Sequence, residues 1–204
     1  MTIHLIRHGA TTAADDRCVG HEDVSLSDDG RRAIEQLGAT WAGPPPDRLV
    51  SSDLERAHAS AHRLAEPWDV SVEQTDRLRE LDFGAWTGRT WDAIEAEEGD
   101  RLRDWMGDWV KTAPPEGESF EGLSSRVLGW LEEVQDEAPD DATIIAVGHA
   151  GPIRALLCHA LTLPLNRAFR LRVGCASVSA VTTGRTDWEV ECVNAAQFRR
   201  PGGP

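Results

Sequence analysis

The stretch LIRHGATT, residues 5–12, places Arg7 and His8 directly after a short apolar run. The run TIHLIR (2–7) has the composition of a buried strand, and Gly9 follows the charged pair. In open α/β sheets, ligands bind outside the carboxyl ends of the strands, at a topological switch point. An arginine and a histidine where a strand ends therefore indicate a functional site.

Strand and helix patterns alternate along the rest of the chain. Helices are predicted at 27–42, with Ser27 as N-cap, and at 53–66, 118–137 and 152–161; further strands are predicted at 47–53, 70–73, within ATIIAVGHAG (142–151), and in a hairpin or edge pair from 169–184 and 187–194. This alternation predicts an α/β fold, a three-layer α/β/α sandwich with a mainly parallel sheet.

One stretch breaks the alternation. Residues 83–120 are rich in tryptophan and acidic residues and contain two short helical patterns. We interpret them as a helical insertion over the active face. The length of 204 residues suits a single domain, placed at 1–198, and RRPGGP (199–204) is predicted to be a flexible tail.

Composition limits the classes of partner. Hydrophobic residues make up 40% of the chain and charged residues 27%, which is typical of a globular protein. The formal net charge of −14 argues against nucleic acid and acidic membrane surfaces as partners, because binding to their phosphate groups requires a positively charged protein surface. Neither a leader nor a long apolar span is visible, so a cytoplasmic location is expected.

The four cysteines are Cys18, Cys158, Cys175 and Cys192, and they are widely spaced. Such spacing fits neither a zinc site nor a disulfide framework. We interpret them as small apolar fillers in a reducing compartment.

Polar side chains fall at equivalent points of the strand–helix pattern: Arg7 and His8, then Arg56, Glu80 and His149. If the crevice binds a phosphate, the arginines supply forked donors and a protonated His149 supplies another. A neutral His8 can then act as nucleophile, and Glu80 can protonate the leaving oxygen. This chemistry requires no metal or other cofactor, since the arginines supply the positive charge.

Each of these residues also has an ordinary structural interpretation. Arg56 beside Glu55 is typical of a surface ion pair, His149 of a core histidine and Glu80 of a solvated loop acid. His58 and His62 have the spacing of a metal pair, but no third ligand is evident and no metal site is predicted.

Three further residues are candidate substrate contacts: His21 at the mouth of the pocket, Trp86 in the insertion, and Ser119, which could equally cap a helix.

The motifs LIRHG, SSDLERA, LRELDFGAWTG and VGHAGPIR resemble, in order and spacing, those of the histidine phosphatase superfamily, whose fold is phosphoglycerate-mutase-like.

The resemblance implies a phosphohistidine mechanism. It makes His8 the nucleophile, Glu80 the acid and base, and Arg7, Arg56 and His149 the phosphate pocket. Gly9 would let the backbone pass close to the phosphate, and Thr11 would add one contact. The stretches GHEDVSLSDDG and FRLRVGCASVSAV look most like alpha-ribazole phosphatases, which remove a 5′-phosphate in cobalamin assembly.

Ala10, Ala14 and Thr87 depart from the family pattern, in which polar or acidic residues are common at these points. Two alternatives therefore stay open, a phosphoglycerate mutase and a phosphate-binding module without catalysis. The expected partner is a small phosphorylated substrate, and an exposed C-terminal edge strand would permit a homodimer.

Overall fold

The computed structural model describes residues 1–14, 16–183 and 187–196. The strands are β1 (Thr2–Arg7), β2 (Arg48–Ser52), β3 (Val72–Thr75), β4 (Thr143–Gly148), β5 (Val178–Thr183) and β6 (Trp188–Ala195). The α-helices are α1 (Asp28–Ala39), α2 (Glu55–Ala65), α3 (Trp91–Gly107), α4 (Phe120–Glu137) and α5 (Ala150–Ala160). Short 3₁₀ turns lie at Asp76–Leu78, Gly84–Trp86 and Leu165–Arg170.

The strands form one six-stranded sheet in the order β3-β2-β4-β1-β5-β6. The neighbours from β3 to β1 are parallel, and β5 is antiparallel to both β1 and β6. The predicted mainly parallel α/β fold is confirmed. β6 is an edge strand, so the surface on which a homodimer could form is present, while the dimer itself stays a prediction.

Alternate residues of the central strands enter two different cores. Leu5 and Ile144 pack against α4 and α5, in a cluster that includes Leu123, Val127 and Leu156. Ile6 and Ile145 point to the other face, where they pack with residues of α1 and α2 such as Ile34 and Leu64. Because side chains alternate along a strand, β1 and β4 are covered on both faces, which gives the three layers.

Several boundaries differ from the predicted ones. The strand predicted at 70–73 lies at Val72–Thr75, and α5 begins at Ala150 rather than at Pro152. Pro152 occupies the first turn of α5, where its missing N–H removes no helical hydrogen bond. The predicted N-cap of α1 is confirmed, since the Ser27 hydroxyl accepts a hydrogen bond from Gly30 N.

The C-terminal strand prediction began too early. Residues 171–177 are not in a strand, and their carbonyls accept hydrogen bonds from arginines instead: Arg154 Nε donates to Leu171 O at 3.1 Å and Arg7 Nη1 donates to Val173 O at 2.8 Å. β5 begins only at Val178. The predicted tail at 199–204 lies outside the described residues.

The segment 83–120 contains the two helical stretches predicted for it. They follow each other within α3 and are separated by a kink at Glu98, whose φ of −134° and ψ of 33° are not helical. No helix in the described ranges has both the length and the apolar character needed to cross a membrane.

Candidate active site

The register of β1 with β4 brings two of the sequence-predicted residues together. Arg7 is paired with Gly148 in this parallel ladder, and His8 N donates to Gly148 O at 3.0 Å. His8 follows Arg7 and His149 follows Gly148, so the two histidines lie at the same edge of the sheet. Their ring centroids are 5.0 Å apart.

His8 is held as a neutral imidazole of one tautomer. Its Nδ1 lies 2.7 Å from Gly9 O, and a carbonyl can only accept, so Nδ1 carries the proton and Nε2 keeps a lone pair. Burial, followed by the charges of Arg56 and Arg7, lowers the pKa of His8 to about 3. The ring thus presents an unprotonated nitrogen among cations, as a nucleophile requires.

His149 corrects one expectation. The sequence interpretation used a protonated His149 as phosphate donor, but burial and the nearby His8, Arg56 and Arg7 lower its pKa well below its usual value. Its Nε2 lies 3.0 Å from the hydroxyl of Ser52, at the end of β2. Within the described residues, Nδ1 is buried without a hydrogen-bond partner. A neutral ring can still donate one hydrogen bond to an anion.

The two predicted arginines converge on the histidines from different elements. Arg7 ends β1, and its Nε is buried without a partner among the described residues. Arg56, in the first turn of α2, is 2% exposed and donates to Gly20 O at 2.7 Å and to Glu22 O at 2.9 Å. Buried polar atoms without partners are rare in folded proteins, and Arg7 Nε and His149 Nδ1 are two of them at this edge of the sheet, where an anion could accept from both.

Glu80 reaches the site through a close approach to α5. Its Oε1 accepts hydrogen bonds from Gly151 N and Leu81 N, both at 3.0 Å. A Cβ at residue 151 would lie 2.3 Å from this oxygen, so only glycine leaves room for the contact. Gly151 stands in VGHAGPIR, but sequence reasoning assigned it no role in the site.

A pocket of about 250 Å³ contains most of these groups. Its lining includes Arg7, His8, Thr11, Arg56 and Glu80, all predicted from sequence, together with Ala10, Ala13, Ala14, Arg17, Val19 and Cys175. Arg17 and Cys175 were missed. The interpretation of the cysteines as apolar fillers is confirmed for buried Cys18 and Cys158 and is wrong for Cys175, which is exposed.

The remaining predicted residues lie elsewhere or act differently. Trp86 is 0% exposed in a cluster with Ile94 and Leu102, so the prediction that it contacts a substrate is wrong. Ser119 caps α4 through Gly122 N, which is the structural alternative considered for it. His21 Nε2 donates to Glu80 O at 2.7 Å, and His21 is not among the residues that line this pocket.

Gly9 has a packing role that its motif did not reveal. Its N–H donates to the Ser60 hydroxyl at 3.1 Å, so this amide is already engaged. A Cβ at Gly9 would lie 2.4 Å from Gly30 O, at the crossing of α1 over the loop that follows β1. Glycine is therefore required here by the approach of two backbones.

The segment 83–120 contributes no residue to the described lining of this pocket, and its position over the active face stays a prediction. It instead binds the loop that does line the pocket. Gly88 N donates to Cys18 O at 2.7 Å, and Arg17 Nη2 donates to Gly88 O at 2.8 Å. These hydrogen bonds from the insertion hold the loop at residues 16–18 in place.

Within the described ranges, no group of three or more His, Cys, Asp or Glu side chains is arranged to hold a metal ion. His58 and His62 do approach each other, with their Nε2 atoms 3.1 Å apart, and the third neighbour is the amide nitrogen of Gln74.

The neutral state of His8 makes the stability of the fold depend on pH. Its pKa is 6.5 before folding and about 3 after, so its contribution is complete above pH 6.5 and is lost as the pH falls toward 3. We expect the unfolding free energy to decrease on acidification, by at most about 1.4 kcal/mol per pH unit for one histidine. Urea unfolding between about pH 5 and 7 measures this slope.

The matched control for this measurement is the His8→Asn variant, whose unfolding free energy should decrease less steeply on acidification. His4, whose pKa burial lowers to about 4, and His149, whose pKa is also lowered, contribute to both proteins, so the difference between the two slopes reports His8. Parallel curves for the two proteins would contradict a buried neutral His8.

Known proteins resemble this chain over nearly its whole length. The family model described as the histidine phosphatase superfamily, branch 1, matches residues 3–196. The adenosylcobalamin/alpha-ribazole phosphatase of Salmonella typhimurium is 29% identical over 98% of this chain and 100% of its own length. A protein of Shigella boydii named a probable phosphoglycerate mutase is 31% identical over 92% of this chain and 87% of its own length.

Among solved structures, the alpha-ribazole phosphatase of Shigella flexneri superimposes with a TM-score of 0.88. It is 26% identical, and the match covers 98% of each chain. With the family model spanning nearly the whole sequence and the expected phosphoglycerate-mutase-like fold confirmed, this chain belongs to branch 1 of the histidine phosphatase superfamily.

Proposed function

We propose that this chain hydrolyses a phosphomonoester through a phosphohistidine on His8, with alpha-ribazole 5′-phosphate as its favoured substrate. The observation that carries the proposal is the tautomer of His8. Its Nδ1 proton is committed to Gly9 O, which leaves the Nε2 lone pair free to attack phosphorus, and the pKa of about 3 keeps the ring unprotonated.

In the first step, His8 Nε2 forms a bond to phosphorus while the bond from phosphorus to the leaving oxygen breaks. Arg7 and Arg56 neutralise the charge on the phosphoryl oxygens. We assign to His149 the tautomer in which the Ser52 hydroxyl, 3.0 Å away, donates to Nε2. Nδ1 then keeps its proton and donates a hydrogen bond to the phosphoryl group.

Glu80 supplies and recovers one proton. Its Oε1 is occupied by two backbone amides, so Oε2 is the oxygen that protonates the leaving group. The resulting carboxylate then removes a proton from water, which attacks the phosphohistidine and releases inorganic phosphate. His8 and the protonated Glu80 are regenerated.

Four small apolar residues of the pocket lining favour an apolar leaving group. Ala10, Ala13, Ala14 and Val19 contribute to a lining whose other residues are mostly charged or polar. The cation Arg17 is paired with Glu22 at 3.0 Å, so its charge is compensated. A nucleoside carrying an apolar base fits such a wall better than the carboxylate of a phosphoglycerate, which would need an unpaired cation.

Replacement of the nucleophile should abolish turnover. His8→Asn keeps a side chain that can donate to Gly9 O but has no nucleophilic nitrogen, so phosphate release should fall to the uncatalysed rate. Quenching the native enzyme during turnover with detergent at alkaline pH should trap a phosphoryl group on residue 8 that is stable to alkali and lost in acid, detected by mass spectrometry. A label on any other residue would contradict the mechanism, and an inactive native protein would favour the non-catalytic binding module.

Gly151→Ala should impair catalysis without unfolding the protein. The added methyl displaces the Glu80 carboxylate, which is the flexible end of a side chain, so stability changes little. We expect kcat/KM for an alkyl phosphate to fall by roughly tenfold or more, because a small misplacement of a catalytic group is costly.

Gly122→Ala, in the first turn of α4, is the matched control. Its new Cβ would have only ordinary contacts, the nearest being Ser119 Oγ at 3.5 Å. Equal rates for the two variants, with Gly151→Ala folded, would contradict the placement of Glu80.

A panel of substrates tests the specificity. Alpha-ribazole 5′-phosphate should have a higher kcat/KM than sugar phosphates or 3-phosphoglycerate, measured by phosphate release. Isomerisation of 3-phosphoglycerate in the presence of a bisphosphorylated primer, without phosphate release, would instead identify a mutase. A higher kcat/KM for a sugar phosphate would refute the apolar leaving group and leave the phosphohistidine mechanism intact.

A further inference from the structure

The main chain of Glu80 is held from outside the pocket. Its carbonyl accepts two side-chain hydrogen bonds, from His21 Nε2 at 2.7 Å and from Arg126 Nη2 at 3.0 Å. Arg126 belongs to α4, whereas His21 lies in the loop that precedes α1. The residue assigned as acid and base is therefore held by its backbone as well as by its carboxylate.

Arg126 forms an ion pair with two hydrogen bonds to Glu118. Arg126 Nε donates to Oε2 at 3.0 Å and Nη2 donates to Oε1 at 2.5 Å. Both side chains are about three-quarters buried, with 22% and 23% of their surface exposed. A paired fork of this kind fixes the orientation of a guanidinium more strictly than a single charge contact does.

The Arg126–Glu118 pair binds the chain before, at and after Glu80. Arg126 Nη1 donates to Arg77 O at 2.7 Å, while Glu118 Oε1 accepts from Asp82 N at 3.1 Å and Glu118 N donates to Asp82 O at 3.0 Å. With the bond to Glu80 O, this makes four backbone groups within residues 77–82. The regular structure of that segment is limited to the 3₁₀ turn at Asp76–Leu78, so its position depends on such contacts, among them also the ion pair of Arg79 with Asp53.

The pair is itself attached to a rigid element. Glu118 directly precedes Ser119, the N-cap of α4. The next residues, Phe120 and Leu123, are buried in the core against the sheet. The Arg126–Glu118 pair therefore fixes the main chain of Glu80 relative to the packed helix α4.

We propose that Arg126 and Glu118 are positioning residues for Glu80, which set where its carboxylate meets the leaving oxygen. This inference rests on the proposed function of Glu80 as general acid. It assigns a role in the reaction to two residues that line no part of the phosphate pocket.

The alternative is that the ion pair only stabilises the fold. The two roles predict different effects on substrates with different leaving groups. An alkyl phosphate needs a proton on its leaving oxygen, whereas p-nitrophenyl phosphate has a leaving group that departs as an anion. kcat/KM reports the steps up to phosphorylation of His8, so a misplaced acid lowers it for the first substrate only.

The experiment compares Arg126→Met and Arg126→Lys with native enzyme on glycerol 2-phosphate and p-nitrophenyl phosphate. For Arg126→Met, kcat/KM should fall about 10- to 100-fold on the alkyl substrate and less than about threefold on the aryl one. Arg126→Lys, which keeps the charge but has a single nitrogen in place of the fork, should recover part of the loss. Thermal melts establish that each variant is folded.

Glu133→Gln is the matched control. It breaks the 2.9 Å ion pair of Glu133 with Arg77, which joins the same helix to the same segment but makes no contact with Glu80. Its kcat/KM should equal that of native enzyme on both substrates. If Arg126→Met does not fold, Glu118→Gln removes the charge, keeps an acceptor for Asp82 N, and should show the same dependence on the leaving group.

Equal losses on both substrates, or no loss on either, would overturn the positioning role and leave the proposed function standing. A native enzyme that hydrolyses neither substrate would overturn the proposed function first, and this inference with it.

Discussion

The backbone hydrogen bond from His8 N to Gly148 O, at 3.0 Å, joins the ends of the two central strands, and the site depends on it. Parallel pairing in this register makes equivalent residues of β1 and β4 end together, so one imidazole follows each strand at the same edge of the sheet. A shift of one residue would move these side chains to opposite faces. The buried alternation of both strands opposes any such shift, because it would expose their apolar side chains.

The same edge collects cations in a protein whose net charge is −14. Arg56 is 2% exposed, and Arg7 and His149 each have a buried nitrogen without a partner among the described residues. Burial of such groups without a counter-charge is unfavourable, and the neutral state of both histidines reduces that cost. The arrangement is suited to a dianionic phosphoryl group, which would complete the missing hydrogen bonds.

Support for the reacting groups comes from residues that never touch the pocket. Gly151 admits the carboxylate of Glu80, the insertion holds the loop near Arg17, and the Arg126–Glu118 pair holds the segment around Glu80. Loops bring these residues together, and loops need such contacts because they lack a ladder of backbone hydrogen bonds. The precision of the site is thus distributed over α4, α5 and the segment 83–120.

The sequence alone determined the alternation of strands and helices, the ordered motifs and five convergent side chains, Arg7, His8, Arg56, Glu80 and His149. These follow from local periodicity and from the end of each strand, which are properties of neighbouring residues. Only the tertiary structure decided that His149 is uncharged, that Trp86 is buried, that Cys175 lines the pocket and that Arg126 contacts Glu80. Burial, charge state and contact depend on segments distant in the chain, such as Glu80 and Arg126, whose approach no local pattern encodes.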